Sequence, residues 1–89
     1  YYYAREDLHI PNPNIDVMKF KNIKSLLGKK VVEAKDYDGL KLIASDGSWL
    51  IFRGSGTEPI MRVYAESRSL ARSRKLVELG KKLVLKLAK

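Results

Sequence analysis

The sequence predicts an α+β domain, a mostly antiparallel sheet covered by helices in the two-layer order β-α-β(4)-α. Two patterns predict this fold. Between Val31 and Glu66, four short segments rich in β-branched and aromatic residues follow one another, joined by short links. From Ser69 onward, apolar side chains recur at helical spacing with charged residues between them. Because such a sheet needs one face buried, this amphipathic helix is expected to cover it.

The first third of the chain is predicted to supply one strand and one helix. Residues 1–10 mix aromatic and polar side chains in a pattern typical of a strand. A helix then runs to about Leu27, because Phe20, Ile23 and Leu27 fall on one side at helical spacing. Gly28 is the expected stop, since glycine readily adopts the left-handed conformation that ends helices.

Four strands are predicted after this helix. Asp46 and Gly47 are expected to form a two-residue turn, the shortest hairpin link. The next link, residues 53–59, contains glycines and a proline that cannot continue a strand. The predicted strands are Val31–Lys35, Leu40–Ala44, Trp49–Phe52 and Ile60–Glu66.

The last helix is expected to begin after Ser69, whose hydroxyl suits a helix N-cap. Gly80 lies on its apolar side, where glycine costs about 1 kcal/mol of helix propensity relative to alanine. We therefore expect the helix to approach the sheet closely at Gly80. Leu85 is a misfit on the polar side. The predicted apolar side consists of Leu76, Val77, Leu79, Leu83, Val84 and Leu87.

Composition limits the class of protein. With 89 residues, 45% of them hydrophobic, the chain is expected to form one small globular domain. It has no cysteine, no long apolar stretch and no signal peptide, so we expect a cytoplasmic protein without disulfides or membrane spans. The first residue is Tyr1 and not methionine, from which we expect a piece of a larger multidomain protein.

The formal net charge of +8 favours a basic nucleic-acid-binding module as an alternative. On that hypothesis, Trp49, Phe52 and Tyr64 form a platform for stacked bases. Most lysines, however, lie on the polar sides or at the ends of the predicted helices, which is typical of solvated surface. Alternation along the strands favours packing as the role of the three aromatic residues. Nucleic acid is therefore the less favoured partner.

The sequence gives little support for a metal site or for catalytic residues. His9 is the only histidine, and no cysteine or carboxylate pair accompanies it, so no metal site is expected in this chain. A Ser-His-Asp arrangement is not expected either. No catalytic residue is assigned, and Ser55 is interpreted as a binding hydroxyl instead of a nucleophile.

The link between the third and fourth of these strands has the chemistry of an anion site. Its glycines let a ligand approach the main chain, and successive N–H groups in such a turn form an anion-binding concavity. Hydroxyl side chains add donors, and an arginine at the loop entrance adds a planar charged fork suited to phosphate. The predicted phosphate-binding residues are Arg53, Ser55, Gly56, Thr57 and Arg62, with Gly54, Glu58 and Pro59 shaping the loop.

This loop and the strand after it, RGSGTEP followed by IMRVYAE, resemble the signature of the last domain of the α-D-phosphohexomutases. That family comprises phosphoglucomutases, phosphomannomutases and phosphoglucosamine mutases. The likeness extends over residues 37–67, and a seven-residue motif in its expected strand context is a specific signal. It implies a C-terminal, fourth domain with a fold like each half of the TATA-box-binding protein.

The resemblance implies that residues 1–89 form the phosphate-binding domain of an enzyme that interconverts hexose 1-phosphate and 6-phosphate. In the family, a phosphoserine and Mg²⁺ in other domains perform the transfer through a hexose 1,6-bisphosphate, while the last domain clamps the phosphate that is not reacting. The chain alone is expected to be inactive, and its partners are a phosphorylated hexose and the other domains. A generic phosphate-binding interaction domain remains a third hypothesis, and the sugar is left open.

Overall fold

The computed structural model describes residues 1–10, 16–36, 39–54 and 59–87. The strands are β1 (Tyr2–His9), β2 (Ser25–Leu26), β3 (Lys29–Lys35), β4 (Leu40–Ala44), β5 (Trp49–Gly54) and β6 (Ile60–Ser67). A 3-10 helix, Val17–Asn22, follows β1, and helix α1, Leu70–Leu87, follows β6. Within the described residues, the six strands form one sheet in the order β1-β6-β5-β4-β3-β2, with all neighbours antiparallel. The predicted α+β class is confirmed.

Alternation along the central strands divides the sheet into two faces. In β4, Leu40, Leu42 and Ala44 are buried, whereas the residues between them are only half-buried. The same side of β5 is completed by Leu50 and Phe52, both fully buried. Side chains two residues apart share a face of a strand, so these residues form one core layer. We call their side the covered face and the opposite side, which carries the residues between them, the uncovered face.

Helix α1 packs closely on the covered face. A Cβ atom on Gly80 would lie 2.6 Å from Cγ1 of Val63 and 3.2 Å from Cδ1 of Leu50. The absence of a side chain at Gly80 lets the helix lie at this distance, which confirms the predicted close approach. Leu85 is 42% exposed, as its position on the polar side predicts. The predicted apolar side is buried at Leu76, Val77 and Val84 and half-buried at Leu79, Leu83 and Leu87.

A cluster of serine hydroxyls holds the start of α1. The Ser69 hydroxyl accepts the backbone N–H of Arg72 at 3.3 Å, which confirms Ser69 as the N-cap. Ser73 is fully buried, and its hydroxyl donates to the carbonyl oxygen of Tyr2 at 2.6 Å. It also lies 2.7 Å from the hydroxyl of Ser67. These bonds satisfy buried polar groups and join α1 to β6 and β1.

The prediction of a helix that runs to Leu27 is wrong over the C-terminal part of that segment. Between residues 16 and 36, which the structure describes, the helical structure is a 3-10 segment that ends at Asn22, and the chain then forms β2. Leu27 and Gly28 have positive φ angles of 49° and 84° and make a two-residue turn that pairs β2 with the start of β3. Gly28 therefore belongs to a hairpin turn and does not terminate a helix.

Long-range contacts account for this difference. The Arg72 guanidinium donates to the carbonyl oxygens of Leu26 at 3.1 Å and Leu27 at 3.4 Å, which ties the turn to α1. Leu26 is fully buried, and the Phe20 ring lies 4.9 Å from the Phe52 ring, centroid to centroid. Because helix propensity in a short segment is a weak preference, burial and these hydrogen bonds outweigh it.

The link between β4 and β5 also differs from its prediction. The N–H of Gly47 donates to the carbonyl oxygen of Ala44 at 3.0 Å, and the N–H of Ala44 donates to the carbonyl oxygen of Ser48 at 2.8 Å. The loop therefore has three residues, with Gly47 in the left-handed region at a φ of 88°. Asp46 explains the extra residue, because its carboxylate accepts both the N–H and the hydroxyl of Ser48.

We predict that this turn makes stability depend on pH. Hydrogen bonds from Ser48, aided by the Arg72 guanidinium 3.5 Å away, lower the pKa of Asp46 from its ordinary value of 3.8. A carboxyl group whose pKa is lower in the folded state stabilises the fold above 3.8, and this contribution is lost as the pH falls through the folded-state pKa. The Asp46→Asn variant should therefore be less stable than the wild type at neutral pH, and the difference should shrink in acid.

Urea unfolding of both proteins at several pH values measures this difference. Glu33→Gln removes the same charge from an exposed position on β3 and is the control for overall charge. A difference between wild type and Asp46→Asn that stays constant from neutral to strongly acidic pH would contradict the role given to the carboxylate.

Candidate functional site

The predicted phosphate loop connects β5 to β6, two neighbouring inner strands of the described sheet. Ser55, Gly56, Thr57 and Glu58 lie outside the described residues. The structure places the residues on either side of them. Gly54 ends β5 and pairs with Met61, and β6 begins at Ile60. The candidate site is therefore built from the two strand ends that flank the loop.

Two predicted site residues, Arg53 and Arg62, are direct cross-strand partners at these strand ends. Both lie on the uncovered face, since neighbouring positions on each strand are buried against the core. Side chains directly opposite each other in an antiparallel pair are close, and like charges in that position destabilise the pair. Two guanidinium groups at the mouth of one loop therefore favour an anion between or beside them.

The nearest carboxylate among the described residues holds Arg62 only weakly. Oδ1 of Asp7 lies 3.9 Å from Nε of Arg62 and 3.7 Å from Nε of Arg5, so one carboxylate is shared between two arginines. Nε of Arg62 is buried and makes no hydrogen bond to any described residue. Ion pairs of this length at a partly exposed position contribute little free energy. A phosphate with several acceptor oxygens is a better partner for the arginine donors.

Both ends of the loop are anchored. On the outgoing side, the N–H of Ile10 donates to the carbonyl oxygen of Pro59 at 2.9 Å, which extends the pairing of β1 with β6. On the incoming side, Gly39 packs directly on the backbone of Phe52 and Arg53, where an added Cβ would lie 2.3 Å from the Phe52 carbonyl oxygen. These contacts hold the backbone that carries Arg53 and Pro59.

A groove on the uncovered face begins at Arg53 and was not recognised from the sequence. Its volume is about 450 Å³, and it includes Lys41, whose Nζ lies 4.8 Å from the centroid of the Trp49 ring. The three aromatic residues considered as a stacking platform are divided between faces, since Phe52 is fully buried whereas Trp49 and Tyr64 line this groove. Alternation along β5 is sufficient to predict that Trp49 and Phe52 lie on opposite faces. The position of the lysines beside Trp49 follows only from the strand register.

Neither a metal cluster nor a membrane span is found in the part of the chain that the structure describes. No three side chains of histidine, cysteine, aspartate or glutamate come together there in an arrangement for a metal ion. No helix there is sufficiently long and apolar to cross a membrane.

Comparison with known proteins identifies the family. Residues 13–79 match the sequence family described as phosphoglucomutase/phosphomannomutase, C-terminal domain. This match covers most of the chain, including the candidate loop and both arginines. The chain belongs to the phosphoglucomutase/phosphomannomutase family. Membership as a C-terminal domain confirms the resemblance carried by the loop motif.

Individual relatives of this family span several activities. The chain is 34% identical over 84 residues to a phosphoglucomutase/phosphomannomutase of Thermococcus kodakarensis, covering 94% of the chain and 18% of the relative. It is 38% identical over 65 residues to a phosphoglucosamine/phosphogalactosamine mutase of Sulfurisphaera tokodaii, covering 73% of the chain and 14% of the relative. A phosphopentomutase of T. kodakarensis is 32% identical over 69 residues, covering 78% of the chain and 15% of the relative. The chain thus spans less than a fifth of the length of these curated relatives.

Proposed function

We propose that this phosphoglucomutase/phosphomannomutase domain is the phosphate-binding part of an enzyme that interconverts hexose 1-phosphate and hexose 6-phosphate. Its role is to hold the phosphate of the substrate that is not reacting. The observation that carries the proposal is the pairing of Arg53 with Arg62 at the mouth of the loop. Two arginine forks match the charge and the acceptor geometry of a phosphate, and the glycines of the loop are a residue type that favours N–H donors beside it.

A phosphate-binding site distant from the reacting bond can assist the reaction. Binding a phosphate far from the reacting bond supplies free energy that orients the reacting end. In this proposal Arg53, Ser55, Gly56 and Thr57 grip the phosphate, and Arg62 supports it from β6. Gly54, Glu58 and Pro59 shape the loop. None of these residues exchanges a proton or a phosphoryl group with the substrate.

The remaining chemistry is assigned to other domains of the enzyme. There, Mg²⁺ would assist phosphoryl transfer when bound, with a hexose 1,6-bisphosphate as intermediate. The chain alone is therefore expected to be inactive. The names of the relatives include hexosamine and pentose mutases, so the sugar is determined by groups outside the phosphate site. We place the enzyme in the cytoplasm, in keeping with metabolic relatives and a cysteine-free sequence.

An NMR titration of the 89-residue chain tests the phosphate site. Inorganic phosphate and glucose 1-phosphate should shift the backbone amide signals of Ser55, Gly56 and Thr57, whereas unphosphorylated glucose should not. The affinity should be weak, on the order of millimolar, because one loop supplies a single set of contacts without the other domains. Shifts confined to α1, with Gly56 unchanged, would mean that the loop is not the site. Mutase turnover by this chain would mean that a catalytic group within it has been overlooked.

A further inference from the structure

We propose that the groove on the uncovered face, beside the loop, is a second anion site that takes a nucleoside monophosphate. The half-buried apolar residue Ile51 of β5 lines it. One side carries aromatic rings, and the other carries Lys35 and Lys41. A volume of about 450 Å³ is within the range of small-ligand pockets.

The cationic side of the groove favours the binding of an anion. Lys35 and Lys41 are direct cross-strand partners on β3 and β4, so two positive charges face each other. Lys41 lies over the Trp49 ring instead of against a carboxylate of the described residues. Within the described part of the chain, the one ion-pair partner of Lys35 is Glu33, which is exposed and 3.7 Å away. No acidic residue among those that the structure describes lines the groove, so a phosphate there would relieve the repulsion between the lysines.

The aromatic side of the groove favours the binding of a planar ring. The rings of Tyr3 and Trp49 meet edge to face with centroids 6.4 Å apart, and those of Tyr3 and Tyr64 lie 6.0 Å apart. Burial in this cluster also raises the pKa of the Tyr3 hydroxyl. Stacking of a base on such rings contributes about 1–3 kcal/mol and tolerates any base. From Trp49 to Arg53 the strand extends about 13 Å, which leaves room for a base, a ribose and a phosphate.

Charges around the groove favour a single nucleotide over a nucleic-acid strand. Glu66 is the cross-strand partner of both Tyr3 and Trp49, and Asp7 is the partner of Arg62. Carboxylates therefore interrupt the positive charge of the uncovered face on the β6 and β1 side. A strand of nucleic acid needs a continuous positive track for its backbone, whereas one phosphate needs only the lysine pair.

Arg53 lines the groove and also lies at the entrance of the loop, so the two sites share this residue. If the proposed phosphate site is correct, a nucleotide in the groove and a sugar phosphate at the loop change each other's affinity by the same factor. The groove then has a regulatory role in the enzyme. Binding of the nucleotide itself does not depend on the function proposed for the loop.

Trp49 is the only tryptophan of the chain, so its indole N–H gives one NMR signal at the groove. We expect AMP to shift this signal and the amides of Lys41 and Ile51, at about 0.15 M salt. Ribose 5-phosphate and inorganic phosphate should instead act mainly at the loop. Lys41→Gln should weaken AMP binding roughly tenfold, by loss of a charged contact. Lys82→Gln, on the exposed side of α1, removes the same charge and should change nothing.

The outcomes separate this proposal from the phosphate site. Loss of AMP binding in Lys41→Gln, with unchanged loop shifts from inorganic phosphate, supports the groove whether or not the loop serves a mutase. A Trp49 signal that does not respond to AMP up to about 10 mM overturns the proposal. Tighter binding of a single-stranded DNA of about ten nucleotides than of AMP, persisting at this salt, overturns it in favour of a nucleic-acid surface.

Discussion

Replacing Arg53 with alanine is expected to weaken phosphosugar binding roughly 10- to 150-fold, which corresponds to about 1.5–3 kcal/mol for a lost charged hydrogen-bonding partner. Arg53 is the penultimate residue of β5, at the loop entrance, and lies opposite Arg62, so the variant leaves only one of the two paired cations. Its side chain is exposed, and the fold should therefore be little affected. The measurements are phosphate affinity in the 89-residue chain and kcat/KM in a complete mutase that carries this domain.

Two further variants separate geometry from charge. Arg53→Lys keeps the positive charge but loses the planar fork, so it should recover only part of the affinity. Arg68→Ala removes the same charge from an exposed position at the opposite end of β6 and should bind phosphate like the wild type. Wild-type affinity and kcat/KM in Arg53→Ala, or equal losses in Arg53→Ala and Arg68→Ala, would remove Arg53 from the phosphate site.

Gly39→Ala is expected to cause the largest loss of stability, about 2–6 kcal/mol, from two sources that add. The φ of Gly39 is 111°, a conformation that costs a residue with a Cβ about 1–3 kcal/mol. The new Cβ would also lie 2.3 Å from the carbonyl oxygen of Phe52 and 3.2 Å from Cα of Arg53, both backbone atoms of a paired strand. Relief requires β5 to shift, which adds a cost of about 1–3 kcal/mol for overpacking.

Gly28→Ala is the matched control for this prediction. Gly28 also has a positive φ, 84°, but an added Cβ would have no atom within 4 Å. This variant should lose only the conformational term, about 1–2 kcal/mol. Thermal and urea unfolding of both variants give the comparison. Equal losses in the two proteins would show that the contact of Gly39 with β5 has no energetic consequence.

Much of this domain follows from local pattern. The strands β4, β5 and β6 and the helix α1 match their predictions closely, because alternation and helical spacing are repeated over many residues there. The serine N-cap and the close approach at Gly80 were also predicted from the residue types. The 3-10 helix and β2 were not, because a few apolar residues such as Phe20 and Leu27 fit a helix and a hairpin equally well.

The sequence by itself determined the family, through the loop motif RGSGTEP and its strand, and with it the α+β class. Resemblance of this motif to the signature of the family was sufficient for the family, whereas the glycines and the arginine fork predicted only an anion-binding loop. Only the tertiary structure decided that Arg53 faces Arg62, that Lys35 faces Lys41, and that Arg72 holds the turn after β2. These pairings depend on strand register and helix position, which are set by burial across the whole sheet between residues distant in the chain.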